Sequence, residues 1–321
     1  MEVRAALPMR EAIRAVEEGF ISLGAGRAVS PKRLVLQISD FGGSVLCMPA
    51  YITDKEALVV KSVSVYPKNQ ETKGQTLNAI VALLDPRSGN VLAVMEGSSL
   101  TAIRTGATAG IATKYMANVG ARRVSVFGAG VIGRASAEAL KEVLGDPIFV
   151  VYDVVGARAE RYAKEVSRQL DATVSVASQP RDAVVGADVI ITATTSSAPV
   201  FDGMHVESGT HINAMGAHTP DSREVDTSTV MRARGRIVVD SREAAMAEAG
   251  DLLIPLKSGA IHPMDIFDEI GNMILKDRKA RRSPKDVTLF KSVGVAVQDA
   301  AAAAAAYRIA RAAGIGREIQ F

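Results

Sequence analysis

Apolar residues recur with a different period in different parts of the chain, and these periods predict its elements. From Pro8 to Gly24 they recur every three or four positions, which predicts an amphipathic helix. Short apolar runs then predict strands at 33–38, 45–48, 58–65, 79–84 and 91–95. A second helix is predicted from 98 to 117. The first hundred residues therefore indicate an antiparallel or mixed sheet with one helix.

Strands and helices alternate regularly further along the chain. Strands are predicted at 124–127, 148–152, 173–177, 188–193, 210–214 and 236–239, and helices at 133–144, 157–170, 180–185, 226–233 and 241–248. This alternation predicts an α/β fold with a parallel, doubly wound sheet. A helix at 268–275 and a strand at 287–290 follow. Asp299 and the seven alanines after it indicate a last helix, whose small side chains favour close packing against another helix.

A glycine-rich turn follows the strand at 124–127 and precedes a helix. Gly128, Gly130 and Gly133 form a G-x-G-x-x-G pattern, in which the glycines permit a tight turn, approach of a pyrophosphate to the backbone, and close helix–strand packing. The next strand ends in Asp153, at the position where such folds hold the ribose hydroxyls. The pattern predicts a dinucleotide site. Asp153 favours NAD because a carboxylate repels a 2′-phosphate, whereas Arg158 keeps NADP open as an alternative.

Composition bounds the class of protein. The length of 321 residues suggests two domains, and a net charge of +3 gives no strong field toward nucleic acid or a membrane. The segment at 276–285 is the most basic, and it is interpreted as a solvated loop or, alternatively, as an anion or nucleic-acid contact. We find no apolar signal core at the N-terminus and no run of about 18 apolar residues, so we expect a cytoplasmic protein. Cys47, the only cysteine, is expected to be a buried small hydrophobe.

Three basic residues in the first part of the chain are candidates for binding an anionic substrate. Arg33 opens a strand and is either an exposed edge residue or a partner for a carboxylate. Lys61 interrupts an apolar strand, so it either points outward or lies in a pocket with a lowered pKa. Arg104 falls in the first turns of a helix, where the helix dipole disfavours a cation unless an anion, either a carboxylate or a cofactor phosphate, lies beside it.

The four histidines show no metal-ligand spacing, and no metal site is predicted. His211 lies in a predicted strand and is expected to be structural. His218 follows the end of that strand, where parallel sheets bind ligands, so it belongs either to a site or to a loop.

These stretches together resemble the ornithine cyclodeaminase/μ-crystallin family over nearly the whole chain. The matching segments are Pro31-x-Arg33, Met48-Pro-Ala-Tyr51, Lys61-x-Val-Ser64, Leu100-Thr-Ala-Ile-Arg-Thr-Gly-Ala107, Gly128-Ala-Gly130, His211-Ile-Asn-Ala-Met-Gly216 and Val293-Gly-Val-Ala-Val-Gln-Asp299. The resemblance implies a Rossmann domain at 116–295. It also implies an α+β domain, formed by 1–115 with 296–321, that binds substrate and makes a homodimer.

The resemblance also implies roles for individual residues. Arg33, Lys61 and Arg104 would contact the substrate, and Val293 would lie near it. Separately from the resemblance, we expect Lys61 and His218 to act in catalysis, Lys61 as a proton relay and His218 by orienting a water or the substrate nitrogen. The cofactor would be lined by Thr76, Arg104, Gly128, Gly130, Val131, Ile132, Gly133, Asp153, Thr194, Met215, Gly216 and Ser292.

One departure from the family pattern affects the expected reaction. Ornithine cyclodeaminases carry an aspartate where this sequence has His218, with Asp221 three residues further on. An imidazole does not pair with an ornithine ammonium as a carboxylate does. The sequence therefore predicts an NAD(P)-dependent oxidoreductase acting on the Cα–N bond of a small amino or imino acid, similar to alanine dehydrogenases or ketimine reductases. The alternatives are an ornithine or lysine cyclodeaminase and a non-catalytic, crystallin-like nucleotide-binding protein.

Overall fold

The chain forms two compact units. A computed structural model describes residues 2–70 and 76–319. The first unit comprises Met1–Arg104 and Val295–Phe321, and the second comprises Thr105–Gly294. The chain thus passes from the first unit to the second within a helix, whereas the sequence placed this boundary at 115/116.

Helices and strands occur along the whole described chain. The helices are α1 (Glu2–Ala6), α2 (Met9–Gly24), α3 (Gly97–Met116), α4 (Val131–Leu144), α5 (Gly156–Leu170), α6 (Pro180–Val184), α7 (Thr227–Arg232), α8 (Arg242–Glu248), α9 (Gly250–Lys257), α10 (Ile270–Leu275) and α11 (Ala296–Ala313). The strands are β1 (Ala28–Val29), β2 (Leu34–Ile38), β3 (Gly43–Ile52), β4 (Ala57–Val65), β5 (Leu77–Leu84), β6 (Val91–Glu96), β7 (Arg123–Phe127), β8 (Ile148–Tyr152), β9 (Val174–Val176), β10 (Val189–Thr192), β11 (His211–Ala214), β12 (Ile237–Val239), β13 (Ile266–Glu269) and β14 (Thr288–Lys291).

The first unit is built on an antiparallel sheet. The strands pair in the order β1-β3-β4-β5-β6, and β2 pairs with the same strand β3. Alternate residues of β4 are buried, among them Val59, Lys61 and Val63, while Val60 between them is exposed. One face of the sheet is therefore an interior face, and Lys61 points into it.

Helices α2 and α11 pack together, and α11 also packs on β3 and β4. Their approach is close: a Cβ atom added at Gly19 would lie 2.9 Å from the Cβ of Ala301. The alanines of α11 are largely buried, which confirms that this run packs against another helix.

The second unit is built on an eight-stranded parallel sheet. The strand order is β13-β12-β14-β11-β10-β7-β8-β9. From β7 the chain adds β8 and β9 on one side, and then returns to add β10 and the later strands on the other side. Right-handed crossovers in opposite directions place helices on opposite faces of such a sheet. The predicted doubly wound α/β architecture is confirmed. A cluster of apolar residues, including Phe127, Ile190 and Ile212, forms the core of this unit.

Several local predictions were wrong. The helix predicted at 268–275 is confirmed as α10 from Ile270 onward, but its first two residues belong to strand β13, which pairs with β12. Helices α1 and α9 and the two-residue strand β1 were missed. Helix α9 contains Pro255 and lacks a clear apolar period, so its sequence gives little helical signal. Cys47 is half-buried rather than buried, since it alternates with the interior residue Met48 on β3.

Candidate active site

The glycine-rich turn of the second unit has the geometry of a phosphate cradle. Gly128 has a φ of +101°, and a Cβ there would lie 2.5 Å from the carbonyl oxygen of Ala193. A Cβ at Gly133 would lie 2.2 Å from the carbonyl oxygen of Gly128, so this glycine permits α4 to approach β7. By contrast, a Cβ at Gly130 would meet no atom within 4 Å. The open space beside Gly130 is where a pyrophosphate can approach the backbone.

The beginning of α4 is suited to an anion. Gly130 is its N-terminal capping residue and, being a glycine, contributes no side-chain cap to the first turn. Val131 is exposed and Ile132 is half-buried at this end. Backbone N–H groups at a helix N-terminus hold phosphate oxygens, so this part of the chain fits the phosphates of a dinucleotide.

Asp153 lies beside the glycine-rich turn, as the spacing indicated. One of its carboxylate oxygens accepts the N–H of Ala129 at 2.9 Å, and the other accepts the N–H of Val155 at 2.9 Å. These bonds fix the carboxylate while each oxygen keeps a lone pair for a further donor. The residue therefore fits the two ribose hydroxyls of NAD.

Other residues predicted to line the cofactor lie at the carboxyl ends of the central strands. Thr194 follows β10, and Met215 and Gly216 follow β11. Ser292 follows β14, and its hydroxyl donates to Asp240 at 2.7 Å. The same carboxylate oxygen of Asp240 accepts the N–H of Val293 at 2.9 Å. The structure thus fixes these residues at one edge of the parallel sheet, the edge at which such sheets bind ligands.

In the first unit, Lys61 and Arg104 converge on one carboxylate. The Lys61 Nζ lies 2.8 Å from Oδ1 of Asp299, and Arg104 Nε lies 3.3 Å from the same oxygen. Lys61 also donates to the hydroxyl of Thr101 at 2.6 Å, and Arg104 donates to the side-chain oxygen of Gln298. All three charged side chains are buried. Lys61 therefore lies in a buried pocket and does not point outward, which were the two alternatives left open by the sequence.

Burial and neighbouring charges shift the pKa values in this cluster. Burial is the largest cause that lowers the pKa of Lys61 to about 8; Asp299 opposes it, while Arg104 and Arg33 lower the pKa further. Burial acts to raise the pKa of Asp299, but the charges of Arg104 and Lys61 outweigh it and hold that pKa below its ordinary value. Lys61 is therefore a cation that can release its proton near neutral pH.

Arg33 and Thr76 complete the predicted residues of the first unit. Arg33 is half-buried and close enough to Lys61 to lower its pKa. Thr76 is half-buried too, and its carbonyl oxygen accepts the N–H of Tyr66 at 2.8 Å. The cofactor role of Thr76 stays a prediction.

The histidines differ in their surroundings. His211 is fully buried, with Nδ1 2.9 Å from the Thr288 hydroxyl, and burial lowers its pKa to about 3, so it is a neutral structural residue as expected. His218 is exposed, with Nδ1 2.9 Å from the carbonyl oxygen of Gly216. This contact holds the imidazole beside the strand end; its catalytic role stays a prediction.

Three buried acidic residues, Asp299, Asp240 and Glu224, were given no chemical role in the sequence analysis; Glu224 lies between β11 and α7. Asp299 appeared there only in a motif and at the start of the last helix, and the other two were not considered. The available signal for Asp299 was a charge inside an apolar segment, the counterpart of Lys61 inside an apolar strand. Glu224 gave no such signal because the three residues before it, Asp221, Ser222 and Arg223, are polar, and the apolar Val225 after it is followed by Asp226.

Residues 2–70 and 76–319 contain neither a membrane-spanning helix nor a cluster of metal-ligating side chains. No helix there has both the length and the apolar character needed to cross a membrane. Nor do these residues contain a group of three or more His, Cys, Asp or Glu side chains placed to hold a metal ion.

Comparison with known proteins identifies the family. Residues 1–313 match the Ornithine cyclodeaminase/mu-crystallin family. The Delta(1)-pyrroline-2-carboxylate reductase of Bacillus cereus is 35% identical over 320 residues, covering 100% of this chain and 98% of that protein.

Two solved structures share the fold over nearly their full length. One is Delta(1)-pyrroline-2-carboxylate reductase from Thermococcus litoralis in complex with NADH and L-proline, with a TM-score of 0.93, 38% identity and coverage of 98% of both chains. The other is an archaeal alanine dehydrogenase dimer with bound NAD, with a TM-score of 0.92, 33% identity and coverage of 100% of this chain and 97% of that one. The resemblance inferred from the sequence motifs is confirmed: the chain belongs to the ornithine cyclodeaminase/mu-crystallin family.

Proposed function

We propose that this protein is an NADH-dependent reductase of small cyclic imino acids, with Δ1-pyrroline-2-carboxylate as the representative substrate. In the proposed reaction, Δ1-pyrroline-2-carboxylate, NADH and one proton give proline and NAD⁺. The observation that carries the proposal is the buried cluster of Lys61 and Arg104 around Asp299. With Arg33 beside it, the cluster has three basic side chains and one carboxylate, so its charge favours an anionic ligand.

The basic residues would hold the substrate through its carboxylate. Arg104 and Arg33 carry guanidinium groups, which bind carboxylates through two parallel hydrogen bonds. Asp299 fixes Arg104 and Lys61 from the interior of the first unit, so their positions do not depend on the substrate. The rigid placement of the carboxylate would orient the C=N bond for reduction.

The reduction also requires a proton on the imine nitrogen. Lys61, with a pKa of about 8, holds a proton at neutral pH and can exchange it. We assign Lys61 to positioning the substrate and supplying this proton, and His218 to orienting the substrate nitrogen or a water. When bound, the nicotinamide would supply the hydride that reduces the imine carbon.

NAD is the proposed cofactor because Asp153 is a carboxylate at the ribose position. Its two oxygens accept hydrogen bonds from the Ala129 and Val155 N–H groups. The negative charge of this carboxylate would repel the 2′-phosphate of NADPH. The wild type is expected to use NADH with a higher kcat/KM than NADPH. The Asp153→Ser variant is expected to narrow this ratio, and an unchanged ratio would count against the assignment.

The proposed reaction is tested with a panel of substrates, read at the absorbance band of the reduced nicotinamide. We expect Δ1-pyrroline-2-carboxylate and its six-membered analogue to consume NADH faster than pyruvate with ammonium. Faster turnover of pyruvate with ammonium would make the protein an alanine dehydrogenase. Ammonia release from ornithine at catalytic NAD⁺, without NADH accumulation, would make it a cyclodeaminase. Absence of turnover with every substrate would favour the non-catalytic alternative.

We also propose that two copies of this chain form a homodimer through the outer face of the first unit's sheet. This face exposes large apolar side chains on neighbouring strands, including Leu34, Leu36, Val60, Ile80 and Val94. Extended apolar patches of this kind mark protein interfaces. The archaeal alanine dehydrogenase of the same fold is a dimer, which supports a second copy as the occupant. The cytoplasmic location stays a prediction.

A further inference from the structure

Glu224 is a fully buried carboxylate at the carboxyl ends of two neighbouring strands. Its Oε1 accepts the N–H of Thr194 at 2.6 Å and the hydroxyl of the same residue at 2.8 Å. Its Oε2 accepts the hydroxyl of Thr192 at 2.9 Å and the N–H groups of Gly216 at 2.6 Å and Ala217 at 3.2 Å. Five donors from the ends of β10 and β11 thus meet on one side chain.

A second pair of buried charges fixes Glu224 from behind. Oδ1 of Asp251 accepts the backbone N–H groups of Glu224 and Val225, at 2.6 and 2.9 Å. The other oxygen of Asp251 lies 2.7 Å from Lys291 Nζ, which also donates to the carbonyl oxygen of Ala217 at 2.5 Å. Asp251 and Lys291 are fully buried as well. The network therefore ties the ends of β10, β11 and β14 to one another.

The arrangement leaves no room for a side chain at the strand end. A Cβ at Gly216 would lie 2.3 Å from the carbonyl oxygen of Thr194 and 2.5 Å from Oε1 of Glu224. The segments that follow β10 and β11 are therefore packed closely around the carboxylate, and position 216 accommodates only a glycine. Small displacements of Glu224 would move both Thr194 and Gly216.

We propose that Glu224 is a positioning residue for the nicotinamide half of the cofactor. The inference rests on the proposed function and on the predicted cofactor residues Thr194, Met215 and Gly216, which lie at these strand ends. The phosphates and the adenosine ribose are held elsewhere, at the glycine-rich turn and Asp153. Glu224 acts on the cofactor through the strand ends and touches neither the turn nor Asp153 through any of its five hydrogen bonds.

A carboxylate is required because three of the five groups facing Glu224 are backbone N–H groups, which can only donate, and each of its two oxygens accepts from at least one of them. In a Glu224→Gln variant the amide oxygen can replace one carboxylate oxygen, but the amide N–H₂ must face donors on the other side. At least one strand end then loses its partner, and a hydrogen bond to a charged group is among the stronger ones. The variant keeps the size of the side chain and removes only its acceptor capacity.

The test compares two ligands on the full-length protein. Dissociation constants are measured for NADH, by its fluorescence, and for ADP-ribose, which lacks the nicotinamide, by calorimetry. For Glu224→Gln we expect the Kd of NADH to rise about tenfold or more and the Kd of ADP-ribose to change by less than about twofold. Equal weakening of both ligands, which a merely structural role would produce, overturns the inference, as does no change in either.

Matched variants keep the test interpretable. Glu207→Gln is the control, since Glu207 is exposed and accepts the N–H of Gly186 at 3.2 Å before β10 begins; both constants are expected to match the wild type. If Glu224→Gln fails to fold, Thr192→Val removes one donor from Glu224 with little change in shape, and the same split should appear at about threefold. Absence of that split also overturns the inference.

The outcomes separate this inference from the proposed function. If Glu224→Gln weakens NADH binding more than ADP-ribose binding, but the wild type reduces no cyclic imino acid, Glu224 remains a positioning residue and the proposed reaction is contradicted. If the wild type reduces the imine, but Glu224→Gln shows no difference between the two ligands, only the inference is contradicted. A wild type that binds neither ligand overturns both.

Discussion

The ammonium of Lys61 lies 2.8 Å from a carboxylate oxygen of Asp299, although 238 positions separate the two residues in the chain. Strand β4 supplies the lysine and the first turn of α11 supplies the aspartate. Each is a buried charge on the interior side of its element, and each makes burial of the other tolerable. The same aspartate holds Arg104, so the N-terminal and C-terminal parts of the first unit together form the proposed substrate site.

The alkaline side of the pH profile should report Lys61. Because burial lowers its pKa to about 8, the ammonium that favours a carboxylate ligand is present below that pH and is lost as the pH rises through it. We therefore expect kcat/KM for Δ1-pyrroline-2-carboxylate to fall above about pH 8. The Lys61→Arg variant keeps its charge at higher pH, so its residual activity should lack this fall. An identical alkaline fall in both proteins would assign it to another group.

The lowered pKa of Lys61 also makes the stability of the protein depend on pH. The ordinary pKa of a lysine is 10.5, so between about pH 8 and that value the folded protein binds fewer protons at Lys61 than the unfolded chain does. The contribution of Lys61 to the free energy of unfolding should therefore increase with pH across this window. The difference between wild type and Lys61→Met, measured by denaturant unfolding at several pH values, checks the sign.

Removing the Asp299 charge should affect both stability and the pH profile. In Asp299→Asn, two buried cations lose their counter-charge, and we expect a loss of about 3 kcal/mol in the free energy of unfolding. The pKa of Lys61 should fall further, because the charge of Asp299 acts to raise it. The alkaline fall of kcat/KM should then begin at a lower pH.

An exposed ion pair provides the comparison for Asp299. Asp146 pairs with Arg122 at 2.7 Å, but both side chains are largely exposed. Asp146→Asn should leave unfolding and the pH profile close to those of the wild type. If Asp299→Asn were as mild as Asp146→Asn, the buried cluster would not be the organising feature of the site.

Substitution of two glycines in the nucleotide turn should affect two different properties, NADH binding at Gly130 and stability at Gly133. Gly130→Ala places a methyl group in open space, so it should change the free energy of unfolding by less than about 1 kcal/mol while weakening NADH binding. Gly133→Ala places a methyl group against the carbonyl of Gly128 and should destabilise the protein by about 2 kcal/mol. Thermal unfolding and NADH titration on both variants check this, and unchanged NADH binding by Gly130→Ala would contradict a phosphate site there.

A charge on the outer sheet face should prevent dimer formation. Ile80 lies on this face, and Ile80→Lys would place an ammonium in the proposed interface. Light scattering should give twice the chain mass of 33.8 kDa for the wild type and the single chain mass for the variant. Met264→Lys, at an exposed apolar residue of the second unit, should keep the dimer mass. A wild type with the mass of a single chain would contradict the proposed homodimer.

The sequence predicted elements well where the local pattern determines them. The G-x-G-x-x-G turn, strand β8 and Asp153 are near in sequence, so their spacing alone placed the carboxylate beside the turn. The pairing of Lys61 with Asp299 could not be read in this way, because no periodic pattern links a strand to a helix more than 200 positions away. For Arg104 the sequence predicted a neighbouring anion, either a carboxylate or a cofactor phosphate of a ligand. In the structure the anion beside Arg104 is Asp299 of the same chain.

Glu224 shows the other limit of sequence reasoning. The three residues before it are polar and its segment resembles a surface loop, yet Glu224 is fully buried. Its burial is compensated by donors from the ends of two strands, and those donors are mostly backbone N–H groups, which carry no signal in the sequence. Strand β13 was missed for a related reason, since its pairing partner β12 rather than its own pattern determines its conformation.

The central claim is that buried basic side chains recognise the carboxylate of a cyclic imino acid. The most direct measurement compares NADH oxidation with Δ1-pyrroline-2-carboxylate and with 1-pyrroline, the same ring without the carboxylate. Loss of a charge-assisted clamp predicts that kcat/KM falls by about a hundredfold or more for 1-pyrroline. Equal kcat/KM values for the two imines would contradict the claim.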